Sequence, residues 1–244
     1  MRPKIRLYVE QPLHEGQQLA LPEAAAHYLF AVMRLSAGAQ IAVFDGRSGE
    51  FTARVQPLGK RAAIADVGPL CLPHRPPCDL WLLFAPIKKA RSDFLVEKAV
   101  ELGVSRLVPV QTDFTNSERV RRDKMQANVI EAAEQCGATH IPEVAELAPL
   151  ARVLADWPTG RHLHWADEAL APEGAASGPT GEAGPAAILI GPEGGFSAAE
   201  HARLSALPFV HPMRLGPRIL RAETAALAAL TLWQSRFGDW ATTP

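Results

Sequence analysis

Two arginines, a glutamate and a threonine crowd into Leu215-Gly-Pro-Arg-Ile-Leu-Arg-Ala-Glu-Thr-Ala-Ala-Leu227, at the hinge between a glycine-proline turn and an apolar helical run. Guanidinium groups at Arg218 and Arg221 offer planar donor arrays suited to phosphates and carbonyl oxygens. Glu223 and Thr224 open the helix that follows, where a carboxylate and a hydroxyl complement free amides. A second loop lies upstream, Ile188-Leu-Ile-Gly-Pro-Glu-Gly-Gly-Phe-Ser197. Its glycines permit close approach of backbone to a bound molecule, and Ser197 with Glu200 reads as a capping box, so a helix starts there with its amides facing the loop. Glu193, a carboxylate held among glycines, calls for a cation or a donor. Neither the P-loop ending nor the dinucleotide fingerprint is present. The two turns, separated by one helix and one strand, are expected to wall one pocket.

Histidine supplies no nucleophile system: His27 falls on a helix, His162 and His164 flank a strand, and no Ser-His-Asp or Cys-His order stands out. Chemistry that relies on placement and charge stabilisation remains, with group transfer from an activated donor as its leading example.

The elements that must position these residues fall into two parts. The first seventy residues read as a small β-rich module with strands at 7–9, 40–44, 51–55 and 62–67, a tight turn at Asp45-Gly46 and one helix over 22–35. Residues 68–77, rich in proline, read as an extended spacer and the boundary between domains at 1–70 and 78–244. Beyond it, strands at 80–85, 107–110, 161–165 and 187–190 alternate with helices at 91–102, 124–136, 198–207 and 222–237, the pattern of a parallel sheet between helices. The stretch 167–186, small and rich in glycine and proline, reads as a mobile surface loop.

With 244 residues, 48% of them hydrophobic, the chain can bury a sizeable core. Its apolar runs stay below the roughly 18 residues that span a bilayer, and the N-terminal residues lack a signal-peptide core, so a cytoplasmic protein without membrane contact is expected. Cys71, Cys78 and Cys136 form neither a disulfide framework nor a zinc spacing, and no metal is implied. A net charge of −1 argues against a nonspecific nucleic-acid coat. The cations are nonetheless clustered, at Arg2, Lys4 and Arg6, at Lys88, Lys89 and Arg91, and at Arg119, Arg121, Arg122 and Lys124, which allows one positive face.

Taken together, the two C-terminal loops, Glu97-Lys-Ala-Val-Glu-Leu-Gly-Val104, Glu134-Gln-Cys-Gly137, His27-Tyr-Leu-Phe-Ala-Val-Met-Arg-Leu35 and Phe44-Asp-Gly46 closely resemble the family of ribosomal RNA small-subunit methyltransferase E, in the SPOUT class. The resemblance implies an N-terminal PUA-like β-barrel and a C-terminal α/β domain closed by a deep trefoil knot. It also implies methylation of N3 of a specific uridine in 16S rRNA within the 30S subunit, S-adenosylmethionine as cofactor, and a homodimer through the knot domain. Carried onto this chain, it implies cofactor contacts from Leu189, Ile190, Gly191, Pro192, Glu193, Gly194, Leu215, Gly216, Arg218, Ile219, Leu220 and Thr224. Arg221, Arg218 and Glu223 become the catalytic candidates, the arginines to stabilise charge on uracil and the glutamate to orient an arginine or accept the proton. RNA is expected to meet Arg6, Arg34, Lys88, Lys89, Arg91, Arg119, Arg121 and Arg122, with the target base splayed out. Leu227, Leu230 and Trp233 are candidates for the dimer interface. Lys89-Ala-Arg91, Ala222-Glu-Thr-Ala225 and the length of the loop before Ala186 depart from the family pattern.

Overall fold

A computed structural model describes residues 3–59, 61–116, 120–173 and 176–241. The chain divides into two compact units, one made of Met1–Pro76 with Ala133–Ile141 and the other of Pro77–Ala132 with Pro142–Pro244. Residues 133–141, which the sequence reading assigned to the second domain, thus cluster with the first.

The first unit is a five-stranded sheet of β1 (Arg6–Tyr8), β2 (Gln18–Leu21), β3 (Gln40–Phe44), β4 (Glu50–Leu58) and β5 (Ala62–Leu72), in the order β1-β3-β4-β5-β2. Leu19, Leu21, Ile41, Val43, Ala53, Val55, Ala63 and Ala65 fill its core, most of them at the alternate positions that a half-buried strand turns inward. Asp45 ties the β3–β4 turn: its carboxylate accepts from the N–H groups of Arg47 and Ser48, from the Ser48 hydroxyl and from the Leu13 N–H. Burial pushes the Asp45 carboxyl up, but these hydrogen bonds outweigh it and the net pKa is lowered.

Two expectations fail here. The segment over 68–72 is strand, because β5 continues past Pro69 with the ladder to β4 shifted between Glu50, Phe51 and Ala53. A bulge releases proline from a ladder hydrogen bond, and a side chain at Gly68 would meet Thr52 Oγ1 at 2.7 Å. The helix expected over 22–35 is α1 (Glu23–His27) running into a π turn (Tyr28–Val32), closed by Met33 N–H to Tyr28 O and Leu35 N–H to Leu29 O.

In the second unit β6 (Leu80–Phe84), β7 (Arg106–Gln111), β8 (Glu143–Val144), β10 (His162–Ala166), β11 (Ala186–Ile190) and β12 (Val210–Met213) pair in parallel in the order β12-β10-β11-β6-β7-β8, and β9 (Ala148–Pro149) pairs with β7. Every residue of β11 is buried, as a central parallel strand demands. One face packs Leu83, Val110, Leu163, Trp165 and Leu189 against Leu150 and Leu154 of α4 (Leu150–Ala155) and Leu204 of α5 (Ala198–Ala206). Elsewhere α6 (Ala222–Phe237) packs on β11 and on α2 (Lys89–Glu101). Leu230 and Trp233 are buried within the chain itself, so they are core residues and not an exposed interface.

α3 (Arg122–Cys136) begins two residues before the expected start. The stretch expected as a mobile loop is anchored: Glu168–Glu173 form a 3-10 helix, and Ser177 exchanges hydrogen bonds with Arg214, N–H to O at 3.0 Å and N–H to Oγ at 3.1 Å. Among the described residues, no helix is long and apolar enough to cross a membrane.

Candidate ligand cavity

Parallel strands end together, and their C-terminal edge is where open α/β sheets bind ligands. In the second unit β10, β11 and β12 end at Ala166, Ile190 and Met213, and all three residues line one cavity of about 430 Å³. Its other walls are the two loops singled out in the sequence: Gly191, Pro192, Glu193 and Gly195 from one, Leu215, Gly216, Arg218, Ile219, Leu220 and Arg221 from the other. The volume suits a small organic molecule.

Local sequence explains the loop shapes. A side chain at Gly191 would meet the Phe196 ring at 2.7 Å, so only glycine lets that ring close under the turn. Gly195 and Gly216 have φ of +70° and +108°, conformations that other residues adopt at a cost. Ser197 caps α5 in a complete capping box with Glu200, as the sequence indicated. Arg221, the N-cap residue of α6, makes no side-chain capping bond and is an exposed residue of the cavity wall.

The charges are arranged in opposition. Arg91, at the start of α2, pairs with Glu193 and lies 3.7 Å from Glu223 Oε1, linking α2, the glycine loop and the first turn of α6. Glu193 has thereby the cation that its setting called for. The Oε2 atom of Glu223 is buried without a hydrogen-bond partner in the structure, and Glu223 is not among the lining residues. Its ion-pair partner is Arg91 and not Arg221. Asp167 and Glu168, just beyond β10, add two carboxylates to the wall. Asp167 is itself fixed by His201 Nε2 at 3.1 Å and by the Ala169 N–H at 3.0 Å. A zwitterionic ligand with an apolar middle fits such a lining, in which Ile190, Met213, Leu215, Ile219 and Leu220 alternate with both signs of charge.

Several expected site residues lie elsewhere. Leu189 is wholly buried in the core, Thr224 is exposed away from the lining, and Gly194 faces the Phe114 side chain, leaving its neighbour Gly195 at the cavity. Lys88 and Arg91, expected on RNA, line the cavity. Ala166, Asp167, Glu168, Ala171, Met213, Ala222 and Ala225 went unnoticed in the sequence. The rule that ligands sit at strand ends would have found Asp167 and Met213.

Of the remaining cations, Arg6 requires the clearest correction. Its side chain is buried, its Nε binds the fully buried Glu50 at 2.6 Å, and its terminal nitrogens donate to the carbonyls of Ala133, Glu134 and Ala138 at the C-terminal end of α3. A guanidinium with four of its five N–H donors so engaged, on a side chain this buried, serves the fold of the first unit. Lys89 pairs with Asp93, Arg121 with Asp123, and Arg122 binds Val144 O at 2.6 Å; Arg34 is exposed. Arg119 lies outside the described residues.

Residues 74–234 match the family described as RNA methyltransferase domain, and residues 21–68 match the RNA methyltransferase PUA domain. A ribosomal RNA small subunit methyltransferase E from Synechocystis is 30% identical over 87% of this chain and 71% of its own. The crystal structure of a ribosomal RNA small subunit methyltransferase E from Neisseria gonorrhoeae bound to S-adenosyl methionine is 30% identical, covers 97% of this chain and 99% of its own, and superposes with a TM-score of 0.81. A methyltransferase from Legionella pneumophila in complex with SAM is 29% identical, covers 98% of this chain and all of its own, and reaches 0.84.

Proposed function

Because the chain belongs to the ribosomal RNA small-subunit methyltransferase E family, we propose that it methylates N3 of a specific uridine in 16S rRNA, with S-adenosylmethionine as donor. The observation that carries this reading is the cavity itself, walled by two glycine-bearing loops at the ends of parallel strands and furnished with both carboxylates and guanidinium groups.

The cofactor would supply an electrophilic methyl group. Glu193, Asp167 and Glu168 are the carboxylates that could hold its ammonium, Lys88 and Arg218 the cations for its carboxylate, and Ile190, Met213, Leu215 and Leu220 the apolar surface for its adenosine. For the base to act as nucleophile, N3 of uracil loses its proton and negative charge spreads to the flanking carbonyl oxygens. Arg221, an exposed wall residue free of a capping bond, is the first candidate to stabilise that charge, with Arg218 second. Glu223, paired with Arg91, would orient that guanidinium, and water would take the proton. The knot, a homodimer through the second unit, a cytoplasmic location and the 30S particle as substrate belong to the same proposal.

The test is incubation with labelled S-adenosylmethionine and 30S subunits lacking the mark, followed by mapping of the methylated nucleotide by mass spectrometry. Label at uridine N3 of 16S rRNA supports the reading. Label on a ribose or on transfer RNA removes it.

A further inference from the structure

Glu193, Asp167 and Glu168 are the carboxylates that line the cavity, and their surroundings set them apart. Glu193 already pairs with Arg91. Glu168 is an exposed residue, so water screens its charge. Asp167 differs from both: its side chain is 4% exposed, and among the described residues its ion-pair partner is His201, with no arginine or lysine against it. A carboxylate withdrawn from water without a full counter-charge is costly, and on a cavity wall a cationic ligand offsets that cost. Several contacts hold this carboxylate in one orientation. Its Oδ1 accepts from the Ala169 N–H at 3.0 Å, and its Oδ2 lies 3.1 Å from His201 Nε2. An ionised carboxylate only accepts, so the imidazole donates, and acceptor capacity remains for a ligand. His201 is itself fixed from two sides. Its backbone N–H reaches Ser197 O at 2.8 Å in the first turn of α5, set by the capping box, and its ring makes a T-shaped contact with Trp165 of β10, centroids 4.7 Å apart.

We infer that Asp167 is the acceptor for the ammonium group of the methyl donor, and that His201 is the positioning residue that holds it for that task. This rests on the reading of the cavity as an S-adenosylmethionine site. It goes further by choosing one carboxylate among three, and by giving a role to His201, which is not itself a lining residue. The ammonium supplies the positive charge that the buried carboxylate lacks, and a charge-assisted hydrogen bond to a fixed acceptor selects ligands that carry a primary amine.

Titration calorimetry with a graded set of ligands tests this: S-adenosylmethionine; S-adenosylhomocysteine, which keeps the ammonium but lacks the sulfonium charge; and methylthioadenosine, which lacks both. Asp167→Asn is isosteric and still accepts from the Ala169 N–H. It should weaken the two amine-bearing ligands about 30-fold, and methylthioadenosine less than about twofold. His201→Leu should weaken the same two ligands about fivefold, and His201→Gln, which restores a side-chain N–H donor, should recover most of that loss. The ratio of affinities within one variant is insensitive to a general loosening of the fold, so the comparison holds even for a less stable variant. Equal losses for all the ligands overturn the proposal, since Asp167 and His201 would then be structural only. A loss confined to S-adenosylmethionine also overturns it, because the carboxylate would then serve the sulfonium, as does a larger loss from Glu193→Gln or Glu168→Gln than from Asp167→Asn. Should the unsubstituted protein show the expected ligand pattern yet leave 30S subunits unmethylated, the uridine reading falls and the ammonium site stands. Methylated 30S subunits together with equal losses remove the ammonium site and leave the uridine reading in place.

Discussion

Arg221 and Arg6 show how far a single residue type predicts its own use. Both are arginines beside apolar segments, and nothing in their immediate neighbours says that one is exposed on a cavity wall while the other is consumed by Glu50 and three backbone carbonyls. Burial decides it: a guanidinium taken out of water must satisfy its donors internally, whereas one left at a cavity keeps them for a ligand. If Arg221 stabilises developing charge, Arg221→Ala lowers kcat by about 100-fold or more. Its cofactor dissociation constant, measured by calorimetry, should change only a few-fold. Equal losses in turnover and binding would assign Arg221 to holding the cofactor instead.

Elements bring together residues that the sequence holds apart, and the edge of the parallel sheet is the plainest case. Alternation along β10 puts His162 and His164 on one face, and the register of β10 with β12 sets His211 opposite His164. His162 Nδ1 lies 2.9 Å from His211 Nε2, so one ring donates to the other. Burial, then the neighbouring His211 and His162, lowers the His164 pKa to about 4, and burial with His162 lowers that of His211. With their pKa values lowered in the folded chain, His164 and His211 take up protons more readily when unfolded, so stability is full above about pH 6.5 and falls as pH drops, for His164 down to about pH 4. For His164 alone the loss reaches about 2 kcal/mol at pH 5. Urea unfolding at pH 7.5 and pH 5 should show the decline, and His164→Gln should flatten it by a comparable amount; an unchanged slope would mean that other groups govern the acid limb.

At the scale of the whole molecule, ligand binding and folding are linked. A cofactor that occupies the cavity stabilises the folded second unit by about 2.7 kcal/mol at a hundred times its dissociation constant, which corresponds to a rise of roughly 5 to 10 °C in its melting temperature. Differential scanning calorimetry with and without S-adenosylmethionine checks this, and no shift at saturating ligand would mark the cavity as unused. Much of the architecture was legible beforehand, because periodicity marks helices and strands wherever burial is one-sided or complete: α6 was delimited to the residue, β3 likewise, and the capping box at Ser197 located the start of α5. Less legible were features that depend on a neighbouring strand, such as the continuation of β5 through Pro69 by way of a bulge, or on a bend in hydrogen bonding, such as the π turn at Tyr28–Val32. The sequence by itself determined the two glycine-bearing loops, their charges and the order of elements, since these are set by local backbone freedom and side-chain pattern. Only the tertiary structure decided that Arg91 belongs with Glu193 and Glu223, that Asp167 and Met213 complete the wall, and that Arg6 is interior, because those assignments depend on which strand ends and helix starts meet in space.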